Sequence, residues 1–343
     1  MSDTPRLLRV GTSPHIGSGK SVDQIMWQVV YALCPAALFA VFAFGWAALL
    51  TLLTAVLACS LTEHFISRAG GKPTTVVDGS AVITGILFGL TLPAHFPLWM
   101  TALGGVIGMS MTKCLFGGLG YNAFNPALVS RAFLQAAFPV AITSWMPAFS
   151  DDRWTSLPKS LLALPFCTPD YEGVTSATPL SLAKFEAEFT GAKELALGLT
   201  NGSLGETCSV LLLLGGLYLA ARKMLNWRIP AAIFATVFAL SAGVHAINPE
   251  QYAPPLFMLF SGGLVLGAVF MATDMVASPI THAGSIVYGI LICVLVVVIR
   301  YWDGMPEGVM YAILFANAVS PHIDHCIKPR VYGTGKKGSA RFG

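Results

Sequence analysis

The chain has 343 residues, with 20 Lys or Arg and 17 Asp or Glu, so 11% are charged, where a soluble globular protein has about 25%. Apolar residues make up 55% and the mean hydropathy is +0.69. These values exclude a soluble enzyme and a disordered chain, and a net charge of +3 leaves no basic face for nucleic acid.

Runs without Asp, Glu, Lys or Arg set the class. They cover residues 24–62, 79–112, 132–150, 229–249, 251–273 and 275–299. A bilayer core of about 30 Å takes about 20 helical residues, so the first run holds two spans with a turn near Phe44-Gly45-Trp46. In chain order the predicted spans are 25–43, 47–66, 79–93, 97–116, 125–145, 205–222, 229–246, 254–272, 283–301 and 307–323. The third is short and rich in Gly and Pro. Backbone inside hydrocarbon must hydrogen-bond within the protein, which places such a span inside the bundle. The expected fold is therefore an all-α polytopic membrane protein of about ten transmembrane helices.

The opening MSDTPRLLRVGTSPHIGSGK is polar and lacks an apolar h-region, so no signal peptide is expected. Arg6, Arg9 and Lys20 favour a cytoplasmic N-terminus, and ten crossings return the C-terminus to the same side. Fourteen Lys/Arg then fall in cytoplasmic segments, against Arg300 alone in the short turns near 45, 94, 250 and 303. The expected organisation is a cytoplasmic tail (1–23), a first five-helix repeat (24–146), an outward-facing segment (147–204), a second five-helix repeat (205–323) and a cytoplasmic tail (324–343). Seven cysteines show no C-x-x-C spacing, and no metal ligand set is expected from them.

The halves resemble one another. VDGSAVITGILFGLTLP (77–93) and SGGLVLGAVFMATDMVASP (261–279) are both Gly-rich, carry an acid near the membrane edge and end in Pro. NPALVSRAFL (125–134) is matched in position by DGMPEGVMYAILFANAVSP (303–321). Five spans per half make the repeats inverted, and short helices in matching places point to a midplane site. Tight Gly/Ala packing is the alternative reading of the same motifs.

Residues 147–204 are too polar to span and long for a plain connection. Within them runs Glu172-Gly173-Val174-Thr175-Ser176-Ala177-Thr178-Pro179-Leu180. Two readings are open from composition: a Ser/Thr turn that caps a helix over 180–190, or an extended stretch that offers the Thr178 hydroxyl to a modifying enzyme.

This acidic-x-x-[Ser/Thr]-x-Ala-Thr-Pro-Leu pattern resembles the flavinylation motif of the NqrB/RnfD family, membrane subunits of the sodium-translocating NADH:quinone oxidoreductase and of the Rnf electron-transport complex. SPHIGSGKSVDQIMWQVVYALCPA (13–36), DGSAVITGILFGLTLP, GYNAFNPALVSRAFL and FMATDMVASP are also similar to the family, so the resemblance covers nearly the whole chain. It lies nearer the Rnf D branch, because the Nqr B branch carries a longer N-terminal extension. Glu172 stands where the motif usually has Asp, and Ser176 where Gly is frequent.

The resemblance implies that a flavin transferase joins FMN through its phosphate to Thr178, with Thr175 and Ser176 beside it. It implies a second, non-covalent flavin such as riboflavin, with Asn122 and Asn125 as candidates, since an amide offers a donor and an acceptor to a flavin edge. Asn125 can equally cap the fifth span ahead of Pro126. Arg131 lies within that span, where a charge is costly and usually functional. It contacts a flavin, pairs with an acid such as Asp78, or snorkels. Asp78 and Asp274, matched across the repeats, are candidates for an ion path or for helix-end caps. The resemblance further implies membrane and peripheral partner subunits, Na+ or H+ as the translocated ion, a bacterial inner membrane and an oxidoreductase subunit with no catalytic residues of its own. A urea-transporter-like channel is the competing class, and the Thr178 motif is the feature that separates the two.

Overall fold

The computed structural model describes residues 21–71, 74–165 and 176–329. Thr175, Glu172 and Cys167, together with both tails beyond these limits, lie outside the described residues. Among the described residues the chain is all-helical, and four helices are long and apolar enough to cross a membrane. These are α1 (Val22–Phe44), α2 (Trp46–Ala69), α10 (Arg228–Ile247) and α13 (His282–Trp302). Between α2 and α10 lie α3 (Ser80–Leu90), α4 (Leu98–Met109), α5 (Pro126–Ala137), α6 (Pro139–Thr143), α7 (Pro179–Phe185), α8 (Ala192–Leu197) and α9 (Ser209–Ala221). After α10 come α11 (Pro255–Phe260), α12 (Leu264–Leu266), α13 and α14 (Val309–Cys326).

Local chemistry sets the limits of these elements. Ser21 and Gln24 form a reciprocal capping box that starts α1. Gly45, at φ +69°, separates α1 from α2, and the Arg153 carbonyl occupies the place its Cβ would take. The predicted fifth span is broken after Ala137, because Pro139 has no N–H to continue the ladder. The predicted eighth span is broken at Ser261–Gly263, with Gly262 at φ +62°, and resumes through α12 into a π-helical turn, Gly267–Met271. A second π turn, Ser110–Cys114, ends α4. The sixth span starts later than predicted, at Ser209.

Glycines allow the closest crossings. A Cβ on Gly85 would lie 2.5 Å from the Val56 Cα, so α2 and α3 touch backbone to backbone. Gly104 and Gly108 of α4 receive Leu134 and Ser130 of α5, and Gly267 receives Val309 of α14. Within each half, α2 packs on α3 and α4, and α10 packs on α11 and α13. Between the halves, α1 packs on α9, and α5 on α14.

The described parts of the segment, residues 147–165 and 176–204, fold over one end of the bundle. Trp46 donates its indole N–H to the Trp154 carbonyl (3.2 Å), and Ser160 donates to the His95 carbonyl (3.1 Å). Lys184 of α7 donates to the carbonyls of Ile299 (3.2 Å) and Met305 (2.9 Å). The turns near 45, 94 and 303 therefore share the end covered by these contacts. Burial lowers the pKa of Lys184, and the Asp303 carboxylate opposes that shift.

Candidate functional site

Two cavities hold most of the sequence-predicted residues between them, Asp78 lining neither. The larger, about 480 Å³, opens beneath the 147–204 segment and is lined by Ser176, Thr178, Arg131, Trp145, Thr91 and Glu307 among others. The smaller, about 120 Å³, lies toward the opposite end and is lined by Asn122, Asn125, Asp274, Ser80, Lys113 and Thr84 among others. The same three elements wall both: α3 with the residue that follows it, the start of α5, and the 264–276 stretch.

Thr178 is the N-cap of α7. Its Oγ1 accepts from the Ser181 N–H (3.2 Å) and lies 3.0 Å from the Ser181 hydroxyl. The helix it caps ends at Phe185, shorter than the 180–190 expected. Only 2% of Thr178 is exposed. Ser176 is held by the Trp145 carbonyl, which accepts from its backbone N–H (2.9 Å) and its hydroxyl (3.3 Å). Leu180 fills the space beside Gly262, so α7 is seated on the break between α11 and α12. The capping role and the cavity position of Thr178 hold together. Thr175, its predicted neighbour, lies outside the described residues.

Arg131 faces the same cavity. It donates to the Thr91 carbonyl, and at 2.6 Å to Glu307 Oε2. The expected alternative, a pair with Asp78, is not what forms. Asp78 Oδ1 instead accepts from the backbone N–H (2.8 Å) and hydroxyl (2.5 Å) of Ser80, capping α3 at the other end of that helix. Three charged residues here escaped sequence reasoning. Glu307 opens the tenth span. Glu206 is 7% exposed, accepts from the Ser203 hydroxyl (2.8 Å) and has its carboxyl group beside that of Glu307. Arg300, which the sequence assigns to a loop, is buried and donates to the carbonyls of Met258 (2.6 Å) and Ser261 (2.8 Å), closing the C-terminus of α11. An acid in DGMPEG at the position matched to the Arg131 helix was the available signal.

In the smaller cavity Asn122 donates to Asp274 Oδ2 (3.2 Å), which brings two predicted residues together. Asp274 Oδ1 also accepts from the Val276 N–H (3.1 Å), the same i to i+2 contact that Asp78 makes with Ser80. Asn125 caps α5 by accepting from the Ala127 N–H (3.0 Å) and donates its amide to the Met271 carbonyl (3.3 Å) at the end of the π turn. Both its amide groups are thus engaged with protein. Lys113, also on this wall, pairs with Glu63 at 2.6 Å and with the Ser80 hydroxyl at 2.5 Å.

The larger cavity has the size of a site for an organic cofactor, about 300–1,000 Å³. Its wall of Leu128, Ile142, Trp145 and Leu266 suits a flat apolar ring, and Arg131 suits a negative edge. These residues fit a flavin tethered at Thr178. The smaller cavity offers amide and carboxylate groups of the right kind, but its volume accommodates a ring only with movement of its apolar side chains.

The chain matches the NQR2, RnfD, RnfE family over residues 9–333. It is 40% identical over 338 residues to the D component of the proton-translocating ferredoxin:NAD(+) oxidoreductase complex of Clostridium ljungdahlii, covering 96% of this chain and 97% of that protein. It is 37% identical over 348 residues to the D component of the ion-translocating oxidoreductase complex of Aliivibrio salmonicida, covering 96% and 99%. It is 38% identical over 335 residues to the D component of the Na(+)-translocating ferredoxin:NAD(+) oxidoreductase complex of Acetobacterium woodii, covering 96% of each chain.

Proposed function

Because this chain belongs to the NQR2, RnfD, RnfE family, we propose that it is the flavin-carrying membrane subunit of an Rnf-type complex. In this reading it passes electrons between ferredoxin- and NAD(H)-linked partner subunits, coupled to Na+ or H+ translocation across the bacterial inner membrane. The observation that carries the reading is the position of Thr178 on the wall of the 480 Å³ cavity, facing the space that Arg131 and Glu307 also line. FMN joined there by a flavin transferase would supply two-electron acceptance with one-electron release.

The chain's own residues would do the rest. Thr178 tethers, replacing affinity with effective concentration. Ser176 and Trp145 hold the tethering stretch against the bundle. Arg131 offers positive charge where reduction adds negative charge, and Glu307 keeps it oriented. Asn122, Asn125 and Asp274 are the groups proposed to meet a second, non-covalent flavin such as riboflavin, and Asp78 and Asp274 remain candidates for the ion path.

The ten-span reading as two inverted repeats is supported by helix pairing. Like positions of the two halves meet each other, α1 with α9 and α5 with α14. Broken or short helices, α3 and α11–α12, occupy the third place of each half. The Lys/Arg distribution supports termini in the cytoplasm and residues 147–204 outside. The relatives from C. ljungdahlii and A. woodii differ in the ion they are named for at nearly equal identity, so overall likeness does not choose between Na+ and H+.

In-gel flavin fluorescence after denaturation tests the assignment. With the transferase co-expressed, the wild-type chain should give a fluorescent band, Thr178→Ser should retain attachment chemistry, and Thr178→Val should give none. A fluorescent Thr178→Val band would move the attachment elsewhere. A dark wild-type band would defeat the reading.

A further inference from the structure

Behind the larger cavity two acids lie side by side, Glu206 at 7% exposure and the Glu307 side chain at 21%. Glu307 comes from the turn just before α14 and Glu206 from the loop before α9. That loop is fixed by two backbone bonds to the end of α3, Leu204 N–H to the Leu92 carbonyl (3.1 Å) and Gly205 N–H to the Leu90 carbonyl (2.6 Å). Glu206 Oε1 takes the Ser203 hydroxyl. Glu307 Oε2 takes Arg131. Glu307 Oε1 is buried and receives no N–H or hydroxyl donor from the described residues, and the Glu206 carboxyl lies beside this side chain.

Two ionised carboxylates are acceptors only, so a hydrogen bond between them needs a proton on one. Close carboxylates resist double ionisation for the same reason, and their protons then belong to the pair. The surrounding charges do not remove this need. Arg131, from α5, is engaged on the far oxygen of Glu307. Arg300, from α13, acts on the pair through space but directs its hydrogen bonds to the Met258 and Ser261 carbonyls. The other titratable groups around these arginines are Tyr301 and Cys293 near Arg300 and Tyr311 near Arg131. Asp303 and Lys184 lie farther out, where α7 meets the 299–305 stretch.

We propose that Glu206 and Glu307 share one proton, and that this pair is the proton donor and acceptor of the cavity in which Thr178 lies. The shared proton rests on the juxtaposition of the two carboxyl groups, the burial of Glu206 and the unpartnered Glu307 Oε1; its use by a redox ring rests on the flavin reading above. When two electrons arrive from an iron–sulfur or flavin carrier of a partner subunit, the ring requires a proton. The O–H bond of the pair breaks, an N–H bond forms on the ring, and two carboxylates remain facing Arg131 and Arg300. Reoxidation returns the proton to the pair. Glu307 lines the cavity and makes the transfer; Glu206 lies behind it and acts through it, as a positioning residue and proton reservoir.

Infrared spectroscopy on the assembled complex tests the shared proton apart from its use. The C=O stretch of a protonated carboxyl, shifted by exchange into D2O, should be present at neutral pH in wild type and in flavin-free Thr178→Val. It should be lost in Glu206→Gln and in Glu307→Gln. If Glu206→Gln does not assemble, Ser203→Ala, which removes one donor to Glu206, should move the pH at which the band disappears. Redox titration of the covalent flavin then reads the coupling: the pH dependence of its midpoint potential should flatten in Glu206→Gln while the fluorescent band keeps its intensity. A band unaffected by these variants overturns the shared proton, and an unchanged potential–pH profile overturns its link to the flavin. A wild-type chain without flavin fails the Thr178 assignment alone, because the infrared arm still decides the pair.

Discussion

Removing Lys113 should cost far more than removing Lys113 together with the charge of Glu63. The two side chains are 3% and 2% exposed and meet at 2.6 Å. Lys113 also donates to the Ser80 hydroxyl, and Glu63 Oε1 accepts from the Thr75 hydroxyl, both at 2.5 Å. This single contact ties the π turn after α4 to α2 and to the start of α3. Glu63 Oε2 is buried with no partner among the described residues, and Lys113 is the cation among them that pairs with this carboxylate. In Lys113→Met the Glu63 carboxylate is left uncompensated, a change worth about 3–5 kcal/mol for buried pairs. At about 1.4 kcal/mol per tenfold, the folded fraction relative to the unfolded falls by about two to three and a half orders of magnitude. In the double variant Glu63→Gln/Lys113→Met no buried charge remains, and a neutral amide takes the Thr75 hydroxyl, so most of the loss should return. Denaturation of the purified chain in mixed detergent micelles, followed by tryptophan fluorescence, measures both. Equal destabilisation of the single and double variants would refute the argument, because packing loss rather than an orphaned charge would then be the cause.

Gly85→Ala places a methyl group against the Val56 backbone, and overpacking of this kind costs about 1–3 kcal/mol; Gly243→Ala, with nothing within 4 Å, should instead be neutral or stabilising in the same unfolding assay. The docking of α7 should tighten as pH rises toward 10.5, the ordinary lysine value. The sign follows from linkage: Lys184 is lowered in the folded state, so over that window the undocked state binds more protons and is disfavoured as they are removed. Hydrogen exchange of residues 179–185, corrected for the intrinsic pH dependence of exchange, measures this, and Lys184→Met should abolish the trend.

What the sequence disclosed depended on how local the determinant was. Helices α1, α2, α10 and α13 were legible because each carries a predominantly apolar run about as long as a bilayer needs. The shortness of α3 was legible in its Gly and Pro. The breaks at Phe138–Pro139 and Ser261–Gly263 were not, because apolar composition continues across both while the backbone turns. Asn125 as a cap required only its neighbour Pro126, and was readable. The partner of Arg131 was not, since Glu307 lies 176 residues away, and Asp78, the acid expected to match it, is satisfied two residues along its own chain. Arg300 read as a loop marker because a charge at the end of an apolar run has that meaning in most chains; here two carbonyls at the end of α11 draw it inward. Thr178 emerged from motif likeness, and its capping role from elementary turn chemistry, with neither reading excluding the other.

The burial of Thr178 bears on when this chain could be loaded. A residue 2% exposed, its hydroxyl engaged by Ser181 and its remaining surface turned into the cavity, presents no outer face to a second enzyme's active centre. If that oxygen carries FMN, esterification belongs to the interval before the 176–178 stretch beds down beneath Trp145, or to a moment when it lifts away. Occupancy would then be decided by timing during biogenesis rather than by equilibrium, and a chain that closed too early would be locked out of its cargo while looking correctly folded.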